Sequence, residues 1–167
     1  QNAARERTWV PQAADMEAAV ELPRAEVDLN GEFHLKVDGK GRVTLPAKFR
    51  KVLSKDLVVT LEPTDECVYA FEAPDFNQWV ERLMDGAFPE RRENDRVQER
   101  THRKLKSRAD SVEVDSAGRI MLSADTRAKC GIAKDIVLVG NGKRFEIWDA
   151  ERYEAMMDDV DLGLLFT

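Results

Sequence analysis

Val37-Asp38-Gly39-Lys40-Gly41-Arg42-Val43-Thr44-Leu45-Pro46-Ala47-Lys48-Phe49-Arg50 governs how this chain folds. It returns as Val114-Asp115-Ser116-Ala117-Gly118-Arg119-Ile120-Met121-Leu122-Ser123-Ala124-Asp125-Thr126-Arg127, and from Asp38 to Asp115 the offset is 77 positions. The shared frame is Val-Asp-x-x-Gly-Arg-(Val/Ile)-x-Leu-x-Ala-x-x-Arg. A later stretch, Val68 to Phe76, returns at the same offset as Phe145 to Tyr153. Self-similarity at one fixed offset is the mark of a duplicated unit.

Each copy reads as strand, tight turn, strand and short helix. Phe33, Leu35 and Val37 alternate with polar residues, the period-two pattern of a half-buried strand. Asp38 and Asp115 suit the start of a turn, because their carboxylates accept backbone N–H bonds ahead of them. Gly41 and Gly118 supply a left-handed backbone without a Cβ penalty. Pro46 suits the first position of a helix; Ser123 replaces it in the second copy, which predicts a less rigid entry. An arginine closes each turn. Its guanidinium either reaches a phosphate or base edge, or merely pairs with the aspartate four residues earlier, and exposed pairs of that kind are weak.

Working outward, 167 residues suffice for one compact domain, and a 43% hydrophobic content is enough for a core. Cys67 and Cys130 lie far apart without a Cys-x-x-Cys motif and read as buried thiols of a reducing compartment. No apolar run approaches the ~18 residues of a membrane span, and no signal peptide is evident. The net charge of −6 argues mildly against a polyanionic partner until its distribution is followed. Glu32 to Asp56 holds seven basic and three acidic residues; Arg91 to Arg108 holds eight and three. Asp149 to Asp161 has six acids and only Arg152. Local fields act within a Debye length of ~8 Å, so distant acids do not cancel these basic stretches.

The chain divides into an acidic, flexible extension over 1–29 with a possible short helix at Ala13–Leu22, a first repeat over 30–76, a connecting helical segment over 77–109, a second repeat over 110–153, and a C-terminal helix and tail over 154–167. Helices are expected over about Ala47–Leu53, from Pro74 onward with the stripe Phe76, Trp79, Val80 and Leu83, within Arg91–Ser107, over Ala124–Cys130 and over Ala150–Asp159. Hairpins are expected for Leu57–Leu61 with Cys67–Phe71, and for Asp135–Val139 with Arg144–Trp148 around Gly140-Asn141-Gly142. Arg91–Ser107 reads as a solvated helix with ion pairs such as Glu99–Arg103, or else as a phosphate-contacting helix.

The frame Val-Asp-x-x-Gly-Arg-Val-x-Leu-Pro resembles the DNA-binding turn of the swapped-hairpin AbrB/SpoVT superfamily. Two such copies in one chain, each with Asp-x-x-x-Arg, resemble the MraZ family of bacterial transcriptional regulators, and the likeness runs from about Gly31 to Asp159. It departs at Lys104 and Lys106, where relatives carry an apolar pair. The resemblance implies an α+β fold: a duplicated ββαββ swapped hairpin forming a pseudo-twofold β-barrel with flanking helices, both turns on one face. It implies a cytoplasmic, nucleoid-associated repressor of its own division and cell-wall operon, binding G-rich direct repeats in double-stranded promoter DNA as a ring of identical subunits.

On this basis Arg42 is the strongest DNA-binding candidate, since its fork suits guanine O6/N7 or a phosphate. Lys36, Lys40, Arg50, Lys51 and Arg119 join it, with Asp38, Gly41, Asp115 and Gly118 as turn formers. Ala117 stands where the first copy has Lys40, and Asp125 where it has Lys48, so the first copy is expected to dominate affinity. The apolar tail Leu162–Phe166 is expected to dock on a neighbouring subunit. A second class of function is an AbrB-like protein-interaction module, an antitoxin or assembly partner, which the acidic ends would suit. Catalysis has thin candidates: His34 and His102 stand beside no nucleophile, and the acids lack metal-ligand spacing. No cofactor, metal, small-molecule substrate or membrane partner is expected.

Overall fold

The structure, a computed structural model, describes residues 26–167. The extension's helix expectation at Ala13–Leu22 lies outside the described residues. The elements run β1 (Glu32–Lys36), β2 (Arg42–Thr44), α1 (Ala47–Arg50), β3 (Asp56–Leu61), β4 (Val68–Phe71), α2 (Ala73–Ala87), α3 (Arg96–Ser107), β5 (Asp110–Glu113), β6 (Arg119–Met121), α4 (Ala124–Lys129), β7 (Asp135–Asn141), β8 (Arg144–Asp149), α5 (Ala150–Asp158) and a terminal 3-10 turn, Leu162–Phe166.

Six strands form one antiparallel sheet in the order β1-β7-β8-β4-β3-β5, and β2 pairs with β6 as a separate ribbon. The two halves exchange their leading strands. β1 lies on β7, with Lys36 opposite Asp135, and β5 lies on β3, with Glu113 opposite Asp56. The α+β class is as expected, but the closed barrel is not formed among the described residues. β1 and β5 remain the edges of the large sheet. The physical reason is where the backbone groups find partners: β1 is taken up by β7 and β5 by β3, and the amides and carbonyls of β2 and β6 are satisfied by each other. β2 and β6 then leave the sheet and bond to each other.

Three layers result. The inner face of the sheet carries Leu57, Val59, Ile136, Leu138, Phe145 and Ile147, which pack against Val43, Leu45, Phe49, Ile120 and Leu122 from the ribbon and its short helix. The outer face is covered by α2 and α3 over Phe71, and by α5 over Val137 and Trp148. The ribbon and the long helices therefore lie on opposite sides of the sheet. Val27 and Leu29 also belong to the core, and Leu29 bridges to Gly142.

Sequence periodicity placed most elements, with local shifts. The stripe on α2 ends in Met84, 1% exposed, while Leu83 is 37% exposed. Helix α3 starts only at Arg96, because Asp95 caps it by accepting from the amides of Val97 and Gln98. Leu105 and Ala109 anchor it, and Glu99 pairs with Arg103 at 3.1 Å. The last hairpin turns at Gly142-Lys143, since Asn141 still pairs with Arg144; Gly142 supplies the left-handed φ of +71° that such a turn needs. Buried Glu146 accepts from Asn141, Arg144 and Trp148, which satisfies its charge inside the outer layer.

Candidate nucleic-acid interface

The two Asp-x-x-x-Arg turns are built alike. In the first, one Asp38 carboxylate oxygen accepts from the backbone N–H of Lys40 at 2.9 Å and of Arg42 at 2.8 Å. Its other oxygen accepts from Arg42 Nε at 2.7 Å. In the second, Asp115 accepts from Ala117 N and Arg119 N, each at 2.9 Å, and from Arg119 Nε at 2.9 Å. Gly41 and Gly118 hold φ of +84° and +77°. The Arg42 backbone N–H bond, with help from its side chain and from Lys40 N–H, holds the Asp38 carboxyl down at about 2. The corresponding bonds from Arg119 and Ala117 lower that of Asp115.

The pairing expected as the bland alternative thus exists in both copies. It does not consume the arginines. Each aspartate takes only Nε, and neither Nη pair hydrogen-bonds to a described residue. The aspartate clamps the Nε edge of the guanidinium and leaves the Nη end, the end that matches guanine O6/N7 or two phosphate oxygens, unbonded on side chains that are 26% and 31% exposed.

The ribbon decides where the two arginines stand. Arg42 is opposite Met121, Val43 opposite Ile120 and Thr44 opposite Arg119. Directly opposed residues share a face, and residues two apart on one strand share it too. Arg42, Thr44, Arg119 and Met121 therefore form one outer face, while Val43 and Ile120, 0% and 1% exposed, point into the core. Arg42 and Arg119 are diagonal neighbours, a geometry that sets the two residues about 7–8 Å apart. Burying Val43 and Ile120 contributes roughly 1.5–3 kcal/mol each and fixes which way the arginines face.

The other expected residues fall around this face unequally. Lys36 ends β1, exposed, with Nζ 3.8 Å from Asp135. Lys40 is exposed at the first tip, and Lys51 is exposed at the end of α1. Arg50 leaves its own repeat and lies against Gly118 of the second tip. Lys48 is tied to Asn30. Three residues of the face were missed: Thr44, Met121, which is 48% exposed, and Arg127, which lies against Gly41 of the first tip. Arg127 stands in the repeated frame as the counterpart of Arg50, so its signal was present, but the frame says nothing of its crossing to the other copy.

Elsewhere, His34 bonds to Glu32 at 2.9 Å and His102 approaches Glu81 at 3.4 Å. Both cysteines are buried free thiols, and burial raises the pKa of each. Among the described residues, no cluster of three His, Cys, Asp or Glu side chains is placed to hold a metal ion, and no helix is long and apolar enough to cross a membrane.

Comparison with known proteins agrees with the site's geometry. The profile of the family described as "MraZ protein, putative antitoxin-like" matches residues 29–99 and 105–162. Curated relatives named "Transcriptional regulator MraZ" include one from Saccharopolyspora erythraea, 37% identical over 77% of this chain and 86% of the relative. Others come from Lachnoclostridium phytofermentans, 35% identical over 78% and 89%, and Chromobacterium violaceum, 36% identical over 79% and 88%. Matched over both turns and most of its length, the chain belongs to the MraZ family.

Proposed function

We propose that this chain is a sequence-specific DNA-binding transcriptional regulator that contacts double-stranded DNA through the outer face of the β2–β6 ribbon. The observation that carries this reading is the pair of aspartate-clamped arginines on one face of the ribbon, held by Nε and with their Nη groups unbonded among the described residues. Arg42 and Arg119 supply the principal contacts, with Lys36, Lys40, Arg50 and Lys51 adding charge around them. Asp38, Gly41, Asp115 and Gly118 hold the tips. The strand exchange between halves supports a swapped-hairpin duplication, with repeats over 30–76 and 110–153, a connecting segment over 77–109, an extension over 1–29 and a tail over 154–167.

The spacing on the ribbon has a consequence for assembly. Arginines about 7–8 Å apart address one groove segment, a few base pairs long. A second site one helical turn away, about 34–36 Å along the duplex, must be read by another copy. This favours a homo-oligomer, and a ring of head-to-tail contacts suits direct repeats. The exposed tail, with Leu162, Leu164, Leu165 and Phe166 at 70–91% exposure, offers apolar surface for such contacts. In this reading the protein represses its own division and cell-wall operon from G-rich direct repeats and works in the cytoplasm on the nucleoid, without enzymatic activity.

The test is binding to a duplex spanning the DNA upstream of its own gene, titrated at several salt concentrations. Arg42→Ala is expected to weaken binding by about 1–3 kcal/mol, roughly 5- to 150-fold. Unchanged affinity in the Arg42→Ala, Arg119→Ala double variant would sink the reading. The description "antitoxin-like" attached to the family favours one rival, a protein-interaction module; salt-insensitive binding to a protein partner, with no DNA binding, is the result that would support it.

A further inference from the structure

Gly41 and Gly118 are each covered by an arginine from the opposite repeat. A Cβ added to Gly118 would sit 2.6 Å from Arg50 Cδ and 2.7 Å from its Nη1. A Cβ added to Gly41 would sit 2.9 Å from Arg127 Nη2 and 3.1 Å from its Cζ. The backbone crosses in the same sense: Leu45 N donates to Gly118 O at 2.8 Å, and Leu122 N to Gly41 O at 2.9 Å. Arg127 Nε donates to Leu122 O at 3.3 Å, which steers its guanidinium to the first tip.

Neither arginine is there to neutralise an acid. Neither forms an ion pair with any described residue, whereas Arg42 and Arg119 each have one. A guanidinium is thus held beside each arginine-bearing tip with no carboxylate of its own. Like charges brought together cost free energy unless an anion joins them. Beside the second tip a cleft of about 130 Å³ has Arg50, Lys55, Ser54 and Ser116 on its polar side, with the Asp115 that clamps Arg119 and the apolar Leu45, Leu53 and Val114 completing its wall. Helix α3 is also basic, but it covers the outer face of the sheet, away from the ribbon, and cannot serve the same groove.

We propose that each DNA-contacting tip is a composite of both repeats. Arg127 works with Arg42 and Lys40 at the first tip, and Arg50 works with Arg119 at the second, each crossing arginine taking a backbone phosphate next to the group read by the tip. This rests on the DNA-binding reading above and deepens it by assigning Arg127 and by moving Arg50 to the other repeat's tip. Each tip gains one guanidinium from its partner repeat, so the first, which has Lys40 where the second has Ala117, keeps one cation more.

Double-variant cycles on the full chain test it, using a duplex of the DNA upstream of its own gene and a scrambled duplex of equal length. Arg127→Ala and Arg50→Ala should each lower affinity and reduce the slope of log affinity on log salt by about one. Arg127→Ala should couple with Arg42→Ala, departing from multiplicative effects by about threefold or more. With Arg119→Ala it should multiply within about twofold. Arg50→Ala should show the mirror pattern, coupling with Arg119. Arg127→Lys should recover the salt slope. Coupling that follows the sequence, Arg50 with Arg42 and Arg127 with Arg119, overturns the inference while leaving DNA binding intact. So does a lowered urea midpoint with unchanged affinity and slope, which would make the crossing arginines structural braces alone. A wild-type protein that binds neither duplex at low salt fails the underlying reading instead.

Discussion

Replacing Gly41 by alanine probes the tip more sharply than deleting any side chain. Its φ is +84°, and a left-handed backbone costs an alanine about 1–2 kcal/mol. The added methyl would also lie 2.8 Å from the Leu122 carbonyl oxygen, a backbone atom already bonded to Arg127. Overpacking of that kind costs typically about 1–3 kcal/mol, so the total loss is about 2–5 kcal/mol. Gly142 is the internal control: its φ is +71°, but a Cβ there meets nothing within 4 Å, so only the conformational part, about 1–2 kcal/mol, is lost. Gly118→Ala should fall between, since the atoms it meets belong to a flexible arginine. Urea unfolding of the three variants measures all of this on one scale. If Gly41→Ala costs no more than Gly142→Ala, the tip is not packed against the other repeat and the reasoning fails.

Two further outcomes follow from the same geometry. The Asp38 carboxyl sits at about 2 in the fold against about 3.9 in an unfolded chain, so its contribution is whole above about pH 5 and is lost as pH falls toward 2. The gap in urea midpoint between wild type and Asp38→Asn should therefore narrow between about pH 5 and about pH 2.5; a constant gap contradicts it. In the tail, Phe166→Asp with Leu165→Asp should shrink the assembly seen by sedimentation toward the 19.0 kDa monomer, and an unchanged assembly would remove the tail from the interface.

Much of this was legible in the residues because the decisive signals are local. The repeated frame located both turns, and alternation at Phe33, Leu35 and Val37 placed β1. The glycine–arginine spacing marks Arg42 and Arg119 as the residues that close the two turns. What the residues did not carry is how the copies interlock. The two turns predict a barrel only if β2 and β6 continue the sheet, whereas the two strands pair with each other instead. Arg50 and Arg127 look like members of their own repeats, since sequence neighbours are the default partners, yet each reaches across to the other tip. Met84 rather than Leu83 completes the α2 stripe because the buried line over Phe71 runs Phe76, Val80, Met84 at i, i+4 and i+8.

Footprinting of the full chain on the DNA upstream of its own gene decides whether the face that carries the two arginine tips reads DNA. Protected segments should be spaced by about one helical turn on one side of the duplex, all lost together in the Arg42→Ala, Arg119→Ala variant. Protection that survives in that variant, or no protected segment at a concentration where the protein is folded, would contradict the DNA-binding reading.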